Sequence, residues 1–418
     1  GVKVDLLDCE AYGLTVEETK EKIKELKPKI TAVVVYGQQP SASTQNMTGA
    51  VELMYAIDDL DTQKVYLGPH PTALPNKTIL DDRKSFVCKG EGVKTLEYLT
   101  KVTDFTDINQ LRKVKGLVFF NDQERRVEHT EQPANIANLD EELPHVAWDL
   151  LPLKRYRTAN WHSWTNNNEQ QPFASLYTSL GCPFKCSFCM INTPFNNGDT
   201  KNNTFRHWSP ENIISQFDFF AKQGIKNVKI ADEMFVLKPP HFMRICELIK
   251  ERGYDFNIWA YARIDTIREK YLVTLKGAGV NWLGLGIESG NRNVRLEVTK
   301  GQFQETNIEN IIGLVRQYDI CAGGNYIFGL PTDTHETLKE TFDLSMELQT
   351  EYVNYYCAMG YPGSQLHRET AELKPEKLPE NNGIGWVGYS QHSYECFPLS
   401  TDALSNAEIL KFRDESFI

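Results

Sequence analysis

Three cysteines stand close together with the spacing C-x₃-C-x₂-C: Cys182, Cys186 and Cys189. Three thiolates on one short loop can hold three irons of a [4Fe–4S] cube and leave the fourth iron open to a substrate or cofactor. The alternatives are a zinc knuckle or unrelated buried thiols. A zinc site usually takes a fourth Cys or His close by, and residues 190–206 contain neither. The spacing therefore favours an iron–sulfur cluster with one open iron.

The composition narrows the class of protein. A chain of 418 residues with 41% hydrophobic and 24% charged residues is typical of a globular protein of two or three domains. Its net charge of −11 argues against a nucleic-acid partner, because such proteins usually carry a basic surface. No apolar run is long enough to span a bilayer, and no signal peptide is visible. The other six of its nine cysteines stand alone, as in a reducing compartment. We therefore expect a cytoplasmic protein with no membrane partner.

The N-terminal segment, residues 1–115, alternates strand and helix patterns. The predicted strands are 2–7, 30–36, 64–67 and 86–88. This alternation predicts a doubly wound, Rossmann-like α/β sheet, whose ligands bind at the carboxyl ends of its strands. Three loops converge there, at 37–44, 68–74 and 90–92. The residues alone therefore predict a nucleotide- or cofactor-binding domain.

The rest of the chain divides into three further segments. Residues 116–170 predict a β-hairpin followed by an interdomain linker, and residues 171–370 predict six consecutive β/α units forming an open, partial barrel. Residues 371–418 are irregular and aromatic, and predict either a cover over the barrel mouth or a terminal element that plugs apolar surface. The predicted barrel strands are 173–179, 227–231, 257–262, 282–287, 324–328 and 353–359. Since the cysteine loop follows the first of these strands, it lies at the end where β/α barrels carry their active sites.

Two phrases precede the cysteine motif: GPHPTALP at 68–75 and KGEG at 89–92. Together with the motif, and with Phe188 before its last cysteine, they resemble the cobalamin-binding radical S-adenosylmethionine (SAM) enzymes over nearly the whole chain. The resemblance implies a cobalamin-binding domain, a partial (β/α)6 radical SAM barrel and three catalytic, cluster-binding cysteines. It also implies one more strand and helix before Gly1, so we expect the first strand to be missing here. No D-x-H-x-x-G occurs, so we expect cobalamin bound without an axial histidine.

The resemblance also implies a set of SAM contacts at the strand ends. Arg263 would bind the carboxylate, Glu288 and Ser289 the ribose, and a strand packed on adenine would contribute Ile327. The segment Ala231-Asp232-Glu233 falls where the family has its amino-binding GGE, so Asp232 and Glu233 are implied contacts of the amino group despite the changed sequence. Phe188 is implied beside the cluster. For each residue, the alternative is a rim salt bridge or a strand-end turn.

The implied cobalamin contacts come from the three loops of the N-terminal segment. They are Gln38, Ser41, Ser43, Thr44, Gly68, His70, Thr72, Gly90 and Glu91. His70 stands between two prolines, which favours a loop contact over a cobalt ligand.

Three functions fit these residues. The first is a methyltransferase that acts on an unactivated carbon of a small molecule through a 5′-deoxyadenosyl radical and methylcobalamin. The second keeps both cofactors but carries out a rearrangement, cyclisation or oxidation. The third is a non-catalytic sensor that binds cobalamin or the cluster. For the enzymes, the resemblance implies a reducing partner such as flavodoxin or ferredoxin.

Overall fold

The computed structural model describes residues 2–37, 39, 41–143, 146–196, 203–301, 303 and 307–418. Its strands, in chain order, are β1 (Ile30–Val34), β2 (Gln63–Leu67), β3 (Phe86–Cys88), β4 (Leu117–Asn121), β5 (Arg126–His129), β6 (Phe173–Leu176), β7 (Ser179–Gly181), β8 (Phe205–His207), β9 (Asn227–Ile230), β10 (Asn257–Arg263), β11 (Val280–Glu288), β12 (Cys321–Phe328) and β13 (Tyr352–Cys357).

The α-helices, in chain order, are α1 (Cys9–Tyr12), α2 (Val16–Leu26), α3 (Ala42–Ala56), α4 (Pro69–Ala73), α5 (Pro75–Asp81), α6 (Val93–Leu99), α7 (Ile108–Leu111), α8 (Leu139–Glu142), α9 (Asn160–Ser163), α10 (Thr193–Asn196), α11 (Pro210–Lys222), α12 (Pro239–Glu251), α13 (Glu269–Gly277), α14 (Arg292–Val298), α15 (Ile308–Gln317), α16 (His335–Leu348), α17 (Gln365–Leu373) and α18 (Asn406–Glu415). Helix and strand alternate through most of the chain, which confirms the predicted α/β class.

Two compact units interleave along the sequence. The first contains Gly1–Asn135, Ser187–Thr204 and Met359–Phe397, and the second contains Ile136–Cys186, Phe205–Ala358 and Pro398–Ile418. The sequence instead suggested four consecutive segments with boundaries at 115, 170 and 370. Those boundaries stay a prediction about which segment carries which function.

The first unit is built on a five-stranded sheet in the order β1-β2-β3-β4-β5. The first three strands are parallel, and β4 and β5 complete the sheet as an antiparallel hairpin, as predicted from 116–130. Apolar side chains pack on both faces: Met54 and Val87 lie in one cluster and Leu99 and Leu117 in the other. Burial on both faces explains why these strands read as continuous apolar runs.

The predicted first strand, at 2–7, is wrong. Residues 2–8 have no regular secondary structure, and Val2, Val4 and Leu6 are 64%, 59% and 49% exposed. Alternating apolar residues favour a strand only where another strand supplies hydrogen bonds. In the described sheet β1 is left as an edge strand, and residues 2–7 do not pair with it.

The second unit contains six parallel strands whose neighbours follow chain order: β6-β9-β10-β11-β12-β13. The sheet is strongly curved, because Trp161 lies about 5 Å from rings on β10, β11 and β13: 5.1 Å from Trp259, 5.0 Å from Trp282 and 5.0 Å from Tyr352. In a flat sheet, β10 and β13 would stand about 14 Å apart. This curvature and strand order are those expected of an open barrel. We call the concave side, which carries Trp259, Tyr261 and Arg263, the inner face.

The C-terminal residues are shared between the two units. A short helical turn, Trp386–Tyr389, packs in the first unit, where Trp386 contacts the apolar cluster around α3. The last helix, α18, belongs to the second unit, and its Phe412 ring lies 5.0 Å from that of Phe328 on β12. Both parts therefore bury apolar surface. Among the described residues, no helix has the length and apolar character needed to cross a membrane.

Candidate functional site

The cysteine loop leaves the second unit through a short, anchored segment. β7 pairs with β8 just before Cys182, and Gly181 has a positive φ of 84° at the turn into the loop. Asp232, which follows β9, accepts hydrogen bonds from the Thr178 backbone N–H and the Thr178 hydroxyl, each at 2.6 Å, and another from the Ser179 hydroxyl. Asp232 therefore fixes the segment that leads to the first cysteine.

Cys182 and Cys186 are enclosed thiols that lie next to charged groups from three strand ends. Both belong to no disulfide. Burial raises the pKa of each thiol to about 12, while the charges of Glu233 near Cys182 and Glu288 near Cys186 raise it further. Arg263 acts in the opposite direction, and it also hydrogen-bonds to Cys186. The predicted residues Glu233, Arg263 and Glu288 are thus brought to the two thiols.

The third cysteine, Cys189, is a half-buried thiol outside any disulfide. It lies three residues further on, in the part of the loop that belongs to the first unit together with the half-buried Phe188. Within the described part of the chain, no three His, Cys, Asp or Glu side chains are grouped as a metal site. The three-cysteine ligand set therefore stays a prediction. Three thiols outside any disulfide, with Arg263 beside Cys186 to offset thiolate charge, fit iron–sulfur chemistry.

Arg263 is held in a defined orientation at the end of β10. Its Nε and Nη2 donate to the two carboxylate oxygens of Asp265 at 2.5 and 2.7 Å, and both side chains are almost fully buried. The guanidinium also lies 3.6 Å from the ring centre of Phe184, which is two residues after Cys182. Because Asp265 occupies the Nε–Nη2 edge, a second carboxylate could pair with the guanidinium only from the Nη1 side. The role of Arg263 toward the SAM carboxylate stays a prediction.

Glu288 stands at an irregularity of β11, where the pairing with β12 shifts between Gly286 and Glu288. Its φ is +70°, an uncommon value for a residue other than glycine. The carboxylate folds back over Gly286, because a Cβ atom on that glycine would lie 2.8 Å from Oε1. Enclosure raises the pKa of Glu288 to about 7, against the opposing charge of Arg263. The structure thus concentrates strain and an unusual titration at a predicted SAM contact.

The other predicted SAM contacts differ among themselves in their surroundings. Glu233 is half-buried, and burial raises its pKa to about 7, although the nearby Lys229 opposes this shift. Ser289 is fully buried, and its hydroxyl is engaged with the Thr341 hydroxyl at 3.1 Å and the Asn291 backbone N–H at 3.1 Å. The contacts of Ser289 fit a structural role at the start of α14, and those of Asp232 a structural role in the cysteine loop. Ile327 is half-buried on the inner face of β12.

The first unit brings six of its predicted residues together at the carboxyl ends of β1, β2 and β3. We call this set the loop cluster: Ser43, Thr44, Gly68, His70, Thr72 and Gly90. Ser43 bonds to the Val35 carbonyl and accepts from the His70 N–H at 2.9 Å, while Thr72 accepts from the Gly90 N–H at 3.1 Å. Gly68 is required by close packing, since a Cβ atom there would lie 2.8 Å from the Val35 carbonyl carbon.

Three predicted cobalamin contacts stand outside this loop cluster. Ser41 is half-buried at the start of α3, and Glu91 is half-buried in the loop before α6. Gln38 lies outside the described residues.

His70 is enclosed within the loop cluster. It is 0% exposed, its Nδ1 lies 3.2 Å from the Thr44 hydroxyl, and burial lowers its pKa to about 3, so the ring is neutral. The Trp386 ring packs edge-on against it with 4.4 Å between ring centres. No local sequence pattern indicates that Trp386, more than three hundred residues away, covers this loop.

Residues 176–345 match the model of the radical SAM superfamily. An uncharacterized methyltransferase, PH0819, from Pyrococcus horikoshii is 26% identical over 87% of this chain and 74% of its own length. An anaerobic magnesium-protoporphyrin IX monomethyl ester cyclase from Cereibacter sphaeroides is 23% identical over 94% of this chain, which spans only 60% of that relative. The solved structure of TsrM from Kitasatospora setae, a radical S-adenosylmethionine methyltransferase with cobalamin and a [4Fe–4S] cluster bound, superposes with a TM-score of 0.68 and 18% identity, covering 89% of this chain and 69% of that one.

Proposed function

We propose that this chain, a member of the radical SAM superfamily, is a cobalamin-dependent enzyme that methylates an unactivated carbon of a small molecule. One observation carries the proposal: Cys182 and Cys186 lie enclosed with Arg263, Glu233 and Glu288 at the strand ends of the segment that matches the superfamily. A methyltransferase relative covers most of the chain, which supports methyl transfer.

Separate residues would bind the cluster and the different groups of SAM. When bound, the cluster supplies an electron for SAM cleavage and cobalamin supplies a carrier for the methyl group. Cys182, Cys186 and Cys189 would hold the cluster, and Arg263, already oriented by Asp265, would pair with the SAM carboxylate. Glu288 and Glu233 would accept hydrogen bonds from the ribose and the amino group. Asp232 acts one step away, by fixing the segment before Cys182.

The loop cluster of the first unit would hold cobalamin. Its backbone and hydroxyl groups lie at the carboxyl ends of three parallel strands, the usual ligand position in such sheets. His70 would line this site as a neutral ring, held by Thr44 at Nδ1 and covered by Trp386. A low-potential donor such as flavodoxin or ferredoxin would supply the electron.

The test is anaerobic reconstitution with iron, sulfide and cobalamin, followed by mass spectrometry of SAM products under low-potential reductant. We expect both 5′-deoxyadenosine and S-adenosylhomocysteine from the wild type. Cys186→Ala should lose bound iron and reduce SAM cleavage to background. Cys9→Ala, which removes a half-buried thiol of the first unit, should retain both. Iron and cleavage retained in Cys186→Ala, or neither product from a fully loaded wild type, would contradict the proposal; the latter result would favour a sensor.

Radical cyclisation or oxidation without methyl transfer is the second candidate, because the relative that matches 94% of this chain is a cyclase. It predicts 5′-deoxyadenosine without S-adenosylhomocysteine, and a product that has not gained the mass of a methyl group.

A further inference from the structure

The inner face of the second unit is partly exposed to solvent, except where Trp161, Trp259 and Trp282 pack together at one end. On β11, β12 and β13 the side chains that face the helices are mostly buried, whereas most inner positions are half-exposed. The half-exposed inner positions are Gly284, Gly286, Asn325, Ile327, Tyr352, Asn354 and Tyr356. Trp161 closes the base against Trp259 and Trp282. The curved sheet therefore leaves a solvent-accessible concave space at the end that carries Arg263 and Glu288.

Two side-chain amides line this space in one row. Strand pairing places Arg263 beside Gly286, Gly286 beside Asn325, and Asn325 beside Asn354. Adjacent strands lie about 4.8 Å apart, so Asn325 is one strand from the glycine that the Glu288 carboxylate covers. A molecule bonded to these amides would lie next to the groups that we assign to SAM.

The amides bond to each other and keep hydrogen-bonding capacity. Asn354 Nδ2 donates to Asn325 Oδ1 at 3.2 Å, the Tyr352 hydroxyl donates to Asn354 Oδ1 at 3.0 Å, and Asn325 Nδ2 donates to the Leu285 carbonyl at 3.3 Å. A side-chain amide has two N–H donors and two acceptor lone pairs. Each of the two therefore retains one N–H and one lone pair, on a half-exposed surface.

The charges around the row select a neutral partner. The inner positions of β12 and β13 are Cys321, Gly323, Asn325, Ile327, Tyr352, Asn354 and Tyr356, and none carries a charge at neutral pH. On the opposite wall, Lys229 is buried over the rings of Trp259 and Tyr261, at 4.7 and 5.3 Å, and its charge is opposed by that of Glu233. A substrate carboxylate would have no cation to pair with on the strands that carry Asn325 and Asn354. A substrate amine would offer no acceptor to the remaining N–H groups of the two asparagines.

We propose that Asn325 and Asn354 bind the substrate, and that the substrate carries a neutral carboxamide or lactam, whose N–H and C=O match one lone pair and one N–H of the row. This inference rests on the proposed function, since it takes the space beside Arg263 and Glu288 as the place of reaction. Asn325 and Asn354 are then specificity-determining residues that touch the substrate. The two tyrosine rings of β13 on the inner face favour a flat body attached to the amide.

Benzamide and methyl benzoate are matched probes for this row, because the ester differs chiefly in lacking the N–H donors. Their affinities for the reconstituted holoprotein are compared by ligand-observed NMR titration. We expect benzamide to bind wild type about tenfold more tightly than the ester, the effect of one well-made hydrogen bond to an otherwise unpaired group. Asn354→Leu and Asn325→Leu should each abolish the preference, because each removes one side-chain acceptor of the row. Asn310→Asp, on the exposed side of α15, should preserve it.

Several results would overturn the proposal: no binding of benzamide by wild type, equal affinity for both probes, or a preference that survives in Asn354→Leu or Asn325→Leu. Asn325→Leu leaves the Tyr352 bond to Asn354 in place, so it retains the test if Asn354→Leu fails to fold. SAM cleavage is measured on the same preparation. Loss of cleavage with an intact amide preference would count against the proposed function alone, and the reverse result would count against this inference alone.

Discussion

At the scale of single residues, the neutral His70 makes the first unit sensitive to acid. Its ring is fully buried and its pKa is lowered from 6.5 to about 3 by burial. In the unfolded chain the ring binds a proton below about pH 6.5, whereas in the folded chain it does so only near pH 3. Between these values the unfolded state binds more protons, so stability falls as the pH falls.

We expect His70 to cost the folded state about 2 kcal/mol at pH 5 relative to pH 7, from about 1.4 kcal/mol per pH unit below 6.5. Urea unfolding at both pH values would measure this loss. His70→Gln, which can keep a hydrogen bond to Thr44, should lose correspondingly less stability on acidification. The comparison between variants is needed because burial also lowers the pKa of His162 and His241 to about 4 in the second unit. An identical pH dependence in both proteins would refute the assignment to His70.

Residue types at strand ends were predictable, but their partners were not. The sequence correctly indicated that chemistry-bearing groups follow β9, β10 and β11, and the structure gathers Glu233, Arg263 and Glu288 around two thiols. It could not distinguish Asp232, whose carboxylate bonds to Thr178 more than fifty residues earlier in the chain. This contact forms only because β9 pairs with β6, which brings residues far apart in sequence together, and no local sequence pattern predicts that pairing. The inner amides were missed because asparagine in a strand carries no signature of function.

At the scale of elements, the turn after β11 is held by close backbone packing. Gly290 donates its N–H to the Thr341 hydroxyl at 2.9 Å, and a Cβ atom on it would lie 2.6 Å from the Glu340 carbonyl carbon and 2.7 Å from the Thr341 Cα. These are backbone atoms of α16, which cannot rotate away as a side chain can. The approach of α16 therefore fixes the turn directly after Glu288.

We expect Gly290→Ala to destabilise the protein by about 2 kcal/mol, within the usual cost of overpacking. Gly313→Ala is the matched control, because Gly313 is exposed on α15 and no atom lies within 4 Å of the added methyl group. It should stabilise the protein by about 0.5–1 kcal/mol through helix propensity. Chemical denaturation measures both changes. If the two substitutions shift stability in the same direction, close packing does not control this turn.

Most elements followed from local pattern, and the exceptions share one cause. The six strands of the second unit and the 116–130 hairpin were predicted, because in these segments both the apolar pattern and the turn residues at the segment ends indicate strands. The segment 2–7 has the same apolar character, yet it forms no strand, because apolar character does not determine whether a segment pairs with the sheet, and here the segment stays exposed beside no strand. The Trp386–Tyr389 turn was not predicted for a related reason: its stability comes from α3 and His70, which are distant in sequence.

At the scale of the whole molecule, the interleaving of the two units assigns the last residues of the chain to the unit that contains the six-stranded sheet. Ile409 of α18 is 0% exposed and lies directly against Gly329, and the Phe412 ring packs on Phe328 with 5.0 Å between centres. Thr401 reaches the same region through a hydrogen bond to the Asp333 carbonyl at 3.0 Å. The final helix therefore covers the outer side of β12, whose inner side carries Asn325.

Removal of residues 405–418 should expose this apolar surface and loosen β12 and β13 selectively. The loss of a fully buried Ile and a packed Phe corresponds to several kcal/mol, so backbone amides in these strands should exchange hydrogen at least about tenfold faster. Amides of β1, β2 and β3 should exchange at their wild-type rates, because α18 belongs to the other unit. Lys411→Ala, at an exposed position of α18, is the control and should leave β12 nearly unchanged. Equal acceleration in both sheets would mean that the units unfold together, and an unchanged β12 would mean that α18 contributes little to the wall behind the inner amides.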